Sequence, residues 1–425
     1  MKKIKNQLKK TFFALAFIVG AFLFCTAFCL PLPKGAKING VDVGGLTRDQ
    51  ATQKVRSSVQ EFLKEKTLLV EVDGQKFCFS HPEIDFLDDL QTLVPTIKKS
   101  GEYTANITFF LNGINAVAQS ICQSVLSPPQ EPYYVFNSKG APFDYYSGKG
   151  GYSCEFDEVK SAIERSLTTL KFFYKNQQNF APVHLKTTYV SPQNTLKTLK
   201  ENTVKLSAYS TYFDALNVAR SHNIALACEK INGCVILPGE TFSFNATVGK
   251  RTAQNGFLSA KVIEGGKFVD GVGGGVCQVS TTLYNVALLS GLKIKEAHPH
   301  SLAVGYVPPS RDAMVSGSYC DLRFENQGDA PVFIRGEVVD GRITFTFYGK
   351  SDGNEYSVES VVLEKLPAPE SEKVVGDEEK IIAYGKDGVI SESYLVVKNG
   401  QKVEKRRIRK DKYAPVAGIM QIIDG

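Results

Sequence analysis

The chain has 425 residues, 50 Lys and Arg against 44 Asp and Glu, and a formal charge of +6. Lys2, Lys3, Lys5, Lys9 and Lys10 carry five of those six charges, so the rest is nearly neutral and a nucleic-acid-binding surface is excluded. Nine cysteines without regular spacing exclude a dense disulfide scaffold and a zinc ribbon.

From Phe12 to Leu30 there is no charged residue, roughly the length that spans a hydrocarbon core. Lysines lie only on its N-terminal side. This predicts a transmembrane signal-anchor in residues 1–34, entering the membrane through residues 11–31. The chain would be single-pass, with its N-terminus cytoplasmic and its bulk extracytoplasmic. A cleaved signal peptide is the competing reading, because "CTAFCLP" places small residues at the apolar end.

Residues 35–195 read as an α+β region. "INGVDVGGLTRDQATQKV" predicts a strand, a Thr47 N-cap and a helix, followed by a hairpin across Asp73-Gly74. A similar order recurs in "YYSGKGGYSCEFDEVKSAIERSL", with a helix near Glu158–Leu170 and strands after it. The two stretches suggest a repeated unit with a break near residue 128, in "LSPPQEPYY". Two unrelated halves are the alternative.

Residues 196–350 hold most of the chemically suggestive side chains. A helix in "STYFDALNVARSHNIALACEKING" stops at Asn232-Gly233, and two strands follow around Pro238-Gly239. Cys228 and Cys234 flank the helix end at bridging separation. In "GVGGGVCQVSTTLYNVALLSGL" a helix begins near Cys277. Val279, Leu283, Val286, Ala287 and Ser290 form one apolar stripe there, and Gly291 is the stop. Alternating strands then turn across Asp340-Gly341. Residues 351–425 read as a charged linker and a β-rich module with a hairpin at Asn399-Gly400. The expected fold class is α+β: a membrane anchor, a small α+β repeat region, a central α+β domain with a Cys-bearing helix against a β-sheet, and a β-rich C-terminal module.

The ordered blocks "LPGETFSFN", "GGGVCQVSTTLYN", "HPHS", "GYVPPSRDAMV" and "DLRFEN" resemble the VanW family of exported proteins over residues 205–349. The region before them resembles peptidoglycan-binding repeats, and the last 70 or so residues are similar to a G-five-type extracellular β-module. The resemblance implies a cell-envelope protein linked by name to glycopeptide (vancomycin) resistance. Its implied partners are peptidoglycan or its peptide stems and cell-wall enzymes. No defined reaction comes with the resemblance, so the chemistry rests on the residues.

A thiol at a helix N-terminus meets unpaired N–H groups and the positive end of the helix dipole, both of which favour thiolate. Gly273, Gly274 and Gly275 permit positive φ, close approach of a ligand, and a row of N–H donors for an oxyanion. His298 and His300 follow within 25 residues, and Asp312 is placed to orient an imidazole. His300 is the preferred base, because Ser301 and not a proline follows it. Cysteine at a helix start, then histidine, then a polar orienter is the order of papain-like and transglutaminase-like folds.

Gly274, Gly275, Glu240, Asn245, Ser280, Thr281 and Tyr306 are the expected substrate-binding residues, and Asp270 is placed to meet a substrate amine. No metal and no cofactor belong to this reading. Two readings compete with it: Cys277 as a packed core residue, and a metal site of Cys277, His298, His300 and Asp312. "KRRIRK", Lys405–Lys410, reads as a strand with a basic face, either solvated or drawn to envelope polyanions. Two functions remain open. One is a cysteine-dependent amidase, peptidase or transpeptidase of wall peptides; the other is a non-catalytic module that binds peptidoglycan or a partner.

Overall fold

The computed structural model describes residues 30–173, 177–264, 267–317 and 319–423. The expected membrane segment, residues 11–31, lies outside them except for its last two residues. Among the described residues no helix is long and apolar enough to cross a membrane. The fold is mixed α+β, with eight α-helices among those residues. It divides into two compact units. One comprises the residues up to Gln130 with Lys149–Pro192; the other comprises Glu131–Gly148 with Gln193 onward. The proline-containing stretch near residue 128 is therefore where the chain leaves the first unit, and it returns at Lys149.

In the first unit the helix Arg48–Lys64 opens with a capping box. Thr47 Oγ1 accepts the Gln50 amide at 3.3 Å, and Gln50 Oε1 accepts that of Thr47 at 3.0 Å. Ala51, Val55, Val59 and Leu63 then fall on one face and are buried. Leu68–Val72 pairs antiparallel with Gln75–Phe79 across Asp73-Gly74, where both residues take positive φ, and parallel with Val183–Leu185. A disulfide joins Cys122, in the helix Ile114–Val125, to Cys154, just before the helix Phe156–Thr169. Cys228 and Cys234 are free thiols, so the bridge considered between them is absent.

The second unit is built on a four-stranded antiparallel sheet ordered Val204–Tyr212, Arg342–Gly349, Val332–Val339, Val235–Ile236. Ile343, Phe345 and Phe347 alternate inward from Arg342–Gly349. The helices Val218–Ile231 and Val276–Leu289 pack on that sheet. A second sheet, ordered Glu355–Leu366, Gly388–Asn399, Lys402–Tyr413, meets the Cys277 helix through Glu355–Leu366 and adds Leu395 to the shared core.

The expected single apolar stripe on the Cys277 helix is too modest. Twelve of its 14 residues are buried, polar ones included. A helix covered all round is the hub of its domain, and its polar side chains must find partners inside.

Candidate active site

Those partners explain how the site is assembled. Asn285 Nδ2 donates to the Arg311 carbonyl at 2.8 Å, and Asn285 Oδ1 accepts Arg311 Nε at 2.9 Å. Thr281 Oγ1 accepts the Ala313 amide at 2.9 Å, Ser280 Oγ donates to the Ala313 carbonyl at 2.6 Å, and Cys277 Sγ lies 3.4 Å from the Val315 carbonyl oxygen. Residues 277, 281 and 285 are one helix face with steps of about 6 Å. Residues 311, 313 and 315 are one side of an extended segment with steps of about 6.6 Å. The two repeats match, so the helix grips the extended segment along its length. Asp312 is thereby held beside the helix that carries Cys277.

Ser280 and Thr281 are fully buried and engaged in this grip. Both side chains position the Asp312 segment, and Thr281 also hydrogen-bonds Tyr306.

His300 is buried, and its Nδ1 and backbone N–H both donate to Asp312 Oδ2, at 2.6 and 2.7 Å. This leaves Nε2 for Cys277, to which the ring is hydrogen-bonded. Burial pushes the Cys277 thiol up, but the hydrogen bond and charge of His300 outweigh it. With the Val315 backbone and Arg251 they hold the thiol below its ordinary value. Burial lowers His300, while Asp312 and the Cys277 thiolate raise it to about 9. Asp312 is raised by burial and lowered by His300, Arg409 and Tyr413, ending below the usual carboxylate range. These directions describe a thiolate–imidazolium pair backed by a carboxylate.

The other oxygen of Asp312 accepts Tyr413 OH at 2.5 Å and Arg409 Nη2 at 2.9 Å. Arg409 Nη2 also donates to the Asp312 carbonyl at 2.6 Å. Sequence reasoning placed Arg409 on an exposed basic strand face. A β-bulge overturns that: Ser393 faces Arg409 while Tyr394 faces Arg407, so Ile408 is the extra residue and Arg409 turns inward. Tyr413 carried no local signal at all. Ser310, with φ 61, is held by Tyr413 OH, Ser391 and Arg409 two residues before Asp312.

The second expected histidine is elsewhere. His298 Nε2 lies 3.0 Å from Glu296 Oε1 on a partly exposed edge, so the alternation that grouped it with His300 does not survive packing. That divides the competing metal set. Among the described residues no three His, Cys, Asp or Glu side chains converge as a metal site.

Gly273 and Gly275 adopt φ of 89 and 105°, as the turn into the helix requires. Gly274 is buried. A Cβ there would sit 2.6 Å from the Lys261 carbonyl oxygen, so its bareness serves packing against the strand Ser259–Glu264. The buried Asn223 pins the turn, donating to the carbonyls of Leu258 and Gly274. The Cys277 amide has no backbone or side-chain acceptor among the described residues, and it lies at the second position of the helix.

Tyr306 is half-buried within the field of Cys277. Burial first, and then that charge, hold its phenol protonated well above the usual range. Asn245 lies one link away: its Oδ1 accepts Arg251 Nη2 at 2.5 Å. Glu240 is exposed and accepts the Leu237 amide of its own turn at 2.9 Å, and Asp270 pairs with Lys261 on an exposed hairpin. Among the described residues neither is hydrogen-bonded to Cys277, His300 or Asp312.

Residues 219–348 match a family model described as VanW like protein. The chain is 46% identical over 147 residues to the uncharacterized protein YoaR of Bacillus subtilis (strain 168), covering 35% of this chain and 48% of YoaR. It is 31% identical over 137 residues to the vancomycin B-type resistance protein VanW of Enterococcus faecalis (strain ATCC 700802 / V583), covering 31% of this chain and 50% of that protein. It thus spans about half the length of the curated relatives it matches. No solved structure matches it. Cys277, His300 and Asp312 fall inside the matched residues, whereas Arg409 and Tyr413 fall beyond them.

Proposed function

From the premise that residues 219–348 are a VanW-family domain, we propose that this chain is an envelope protein whose Cys277 site carries out acyl transfer on cell-wall peptides. The observation that carries the reading is that Cys277 and Asp312 share the single imidazole of His300. The Cys277 thiolate attacks an amide carbonyl, and the developing oxyanion takes the free Cys277 N–H. As the C–N bond breaks, the His300 imidazolium gives its Nε2 proton to the departing amine, leaving a thioester. Neutral His300 then takes a proton from water or an acceptor amine as that molecule's oxygen or nitrogen attacks the thioester carbonyl. The C–S bond breaks, the Cys277 thiolate is released beside the imidazolium, and the outcome is hydrolysis or transpeptidation. Asp312 holds the ring in the working orientation throughout.

Three observations support the envelope setting: the lysine-flanked apolar N-terminus, a disulfide suited to an oxidising compartment, and the printed name of the Enterococcus relative, from which a link to vancomycin resistance is carried over.

The test is incubation of the full chain with purified peptidoglycan, reading new free amines and product masses by mass spectrometry. Cleaved or exchanged peptides that vanish in Cys277→Ser support the reading. Products that persist in that variant, or a Cys277 that iodoacetamide reaches only after denaturation, overturn it.

A further inference from the structure

The glycine turn before Cys277 is straddled by two arginines. A Cβ on Gly273 would meet Arg251 Cβ at 2.9 Å, and one on Gly275 would meet Arg220 Cγ at 3.0 Å. The missing side chains thus make room for two guanidinium stems as well as for the turn. Both arginines are half-buried.

Their hydrogen-bond partners are neutral. Arg251 donates to Asn245 Oδ1 and to the Gly249 carbonyl, and its guanidinium lies over the Phe244 ring, 5.7 Å from the centroid. Arg220 donates to Gln278 Oε1 at 2.8 Å. Neither forms an ion pair with a carboxylate among the described residues. The charges of Cys277 and, less strongly, Asp321 act on Arg251, but neither is a direct ion pair: the oxygens of Asp321 accept Ser243 Oγ and the amides of Asn245 and Leu322. The thiolate is paired with the imidazolium, and Arg409 lies between two carboxylates, Asp312 and Asp411. Two cations beside the nucleophile therefore have no carboxylate paired directly with them, and partly desolvated guanidinium groups favour such a partner.

We propose that the substrate attacked by Cys277 carries a carboxylate close to the scissile amide, and that Arg251 and Arg220 receive it. This rests on the acyl-transfer reading and names its substrate class: peptides with a free carboxylate at, or one residue from, the cleaved bond. An α-carboxylate at a peptide C-terminus and an acidic side chain offer the same chemistry.

The experiment compares the second-order rates at which iodoacetate and iodoacetamide alkylate Cys277 in the full chain. The two reagents differ by one negative charge, so their ratio reads the potential at the sulfur. Arg251→Gln and Arg220→Gln should each lower the iodoacetate-to-iodoacetamide ratio, by about tenfold for Arg251, and Arg251→Lys should restore most of it. Protection of wild-type Cys277 from iodoacetamide then identifies the source. Acetyl-alanyl-alanine protecting where its C-terminal amide does not assigns an α-carboxylate. Protection by acetyl-glutamyl-alanine amide assigns a side chain. An unchanged ratio in both glutamine variants, or equal effects of all three peptides, overturns the proposal. Absence of iodoacetamide labelling in the native protein would instead overturn the thiolate reading beneath it.

Discussion

Asp312 Oδ2 accepts both the ring and the backbone N–H of His300, at 2.6 and 2.7 Å, so orientation and charge of the imidazole are set by one carboxylate atom. Asp312→Asn keeps the shape and removes the charge. His300 should then fall from about 9 toward its ordinary value, and iodoacetamide labelling of Cys277 at pH 6 should slow at least about tenfold. The same change removes one of the two carboxylates beside Arg409, which is 13% exposed, and leaves Asp411 at 2.7 Å. Thermal denaturation should show a loss of about 1–3 kcal/mol.

The pH profile has a definite sign. His300 is raised in the fold, so its contribution to stability is complete below about 6.5 and is lost as pH rises through about 9. Cys277 is lowered, so its contribution is complete above its ordinary value and is lost as pH falls through the lowered one. The ion pair fills the window between the two folded values. Iodoacetamide labelling should therefore rise less steeply from pH 6 to 8 than that of an ordinary thiol, which gains about tenfold per unit, and peptide turnover should fall above about 9. In Cys277→Ala, NMR titration should find His300 moved down from about 9, since the thiolate is one of the charges holding it up. A rate that climbs through that range as in a free thiol contradicts the pair.

Thr281→Val removes the acceptor for the Ala313 amide inside the core. We expect a loss of about 1–3 kcal/mol by urea denaturation, with the KM for any peptide substrate unchanged in the folded protein. A selective rise in KM would return Thr281 to the substrate surface.

The disulfide Cys122–Cys154 closes a separation of 32 residues. Replacing both cysteines with serine should cost the first unit about 3–4 kcal/mol, seen as earlier proteolysis within residues 36–190. Equal resistance before and after replacement would mean the bridge does not form in the isolated protein.

Protease added to wall-less cells should digest the chain beyond Pro31 and spare the first thirty residues. Full protection would place the chain on the wrong side of the membrane.

The sequence by itself determined what a few neighbouring residues can decide. The Thr47 cap, the hairpins at Asp73-Gly74 and Asp340-Gly341 and the helix beginning beside Cys277 all rest on φ preferences and hydrogen bonds a few positions long. The scarcity of histidine narrowed the base to two candidates. Choosing between them required packing, because His298 and His300 are alike on paper, and only the burial of one against Asp312 separates them from each other. The roles of Ser280 and Thr281 likewise depended on what lay across from them, a segment more than thirty residues later. Arg409 and Tyr413 reach Asp312 over about a hundred residues of chain, and a one-residue bulge re-aims the arginine. Local periodicity sets which way a side chain leaves its own element; the partner it meets depends on how distant elements pack, which only the tertiary structure decided.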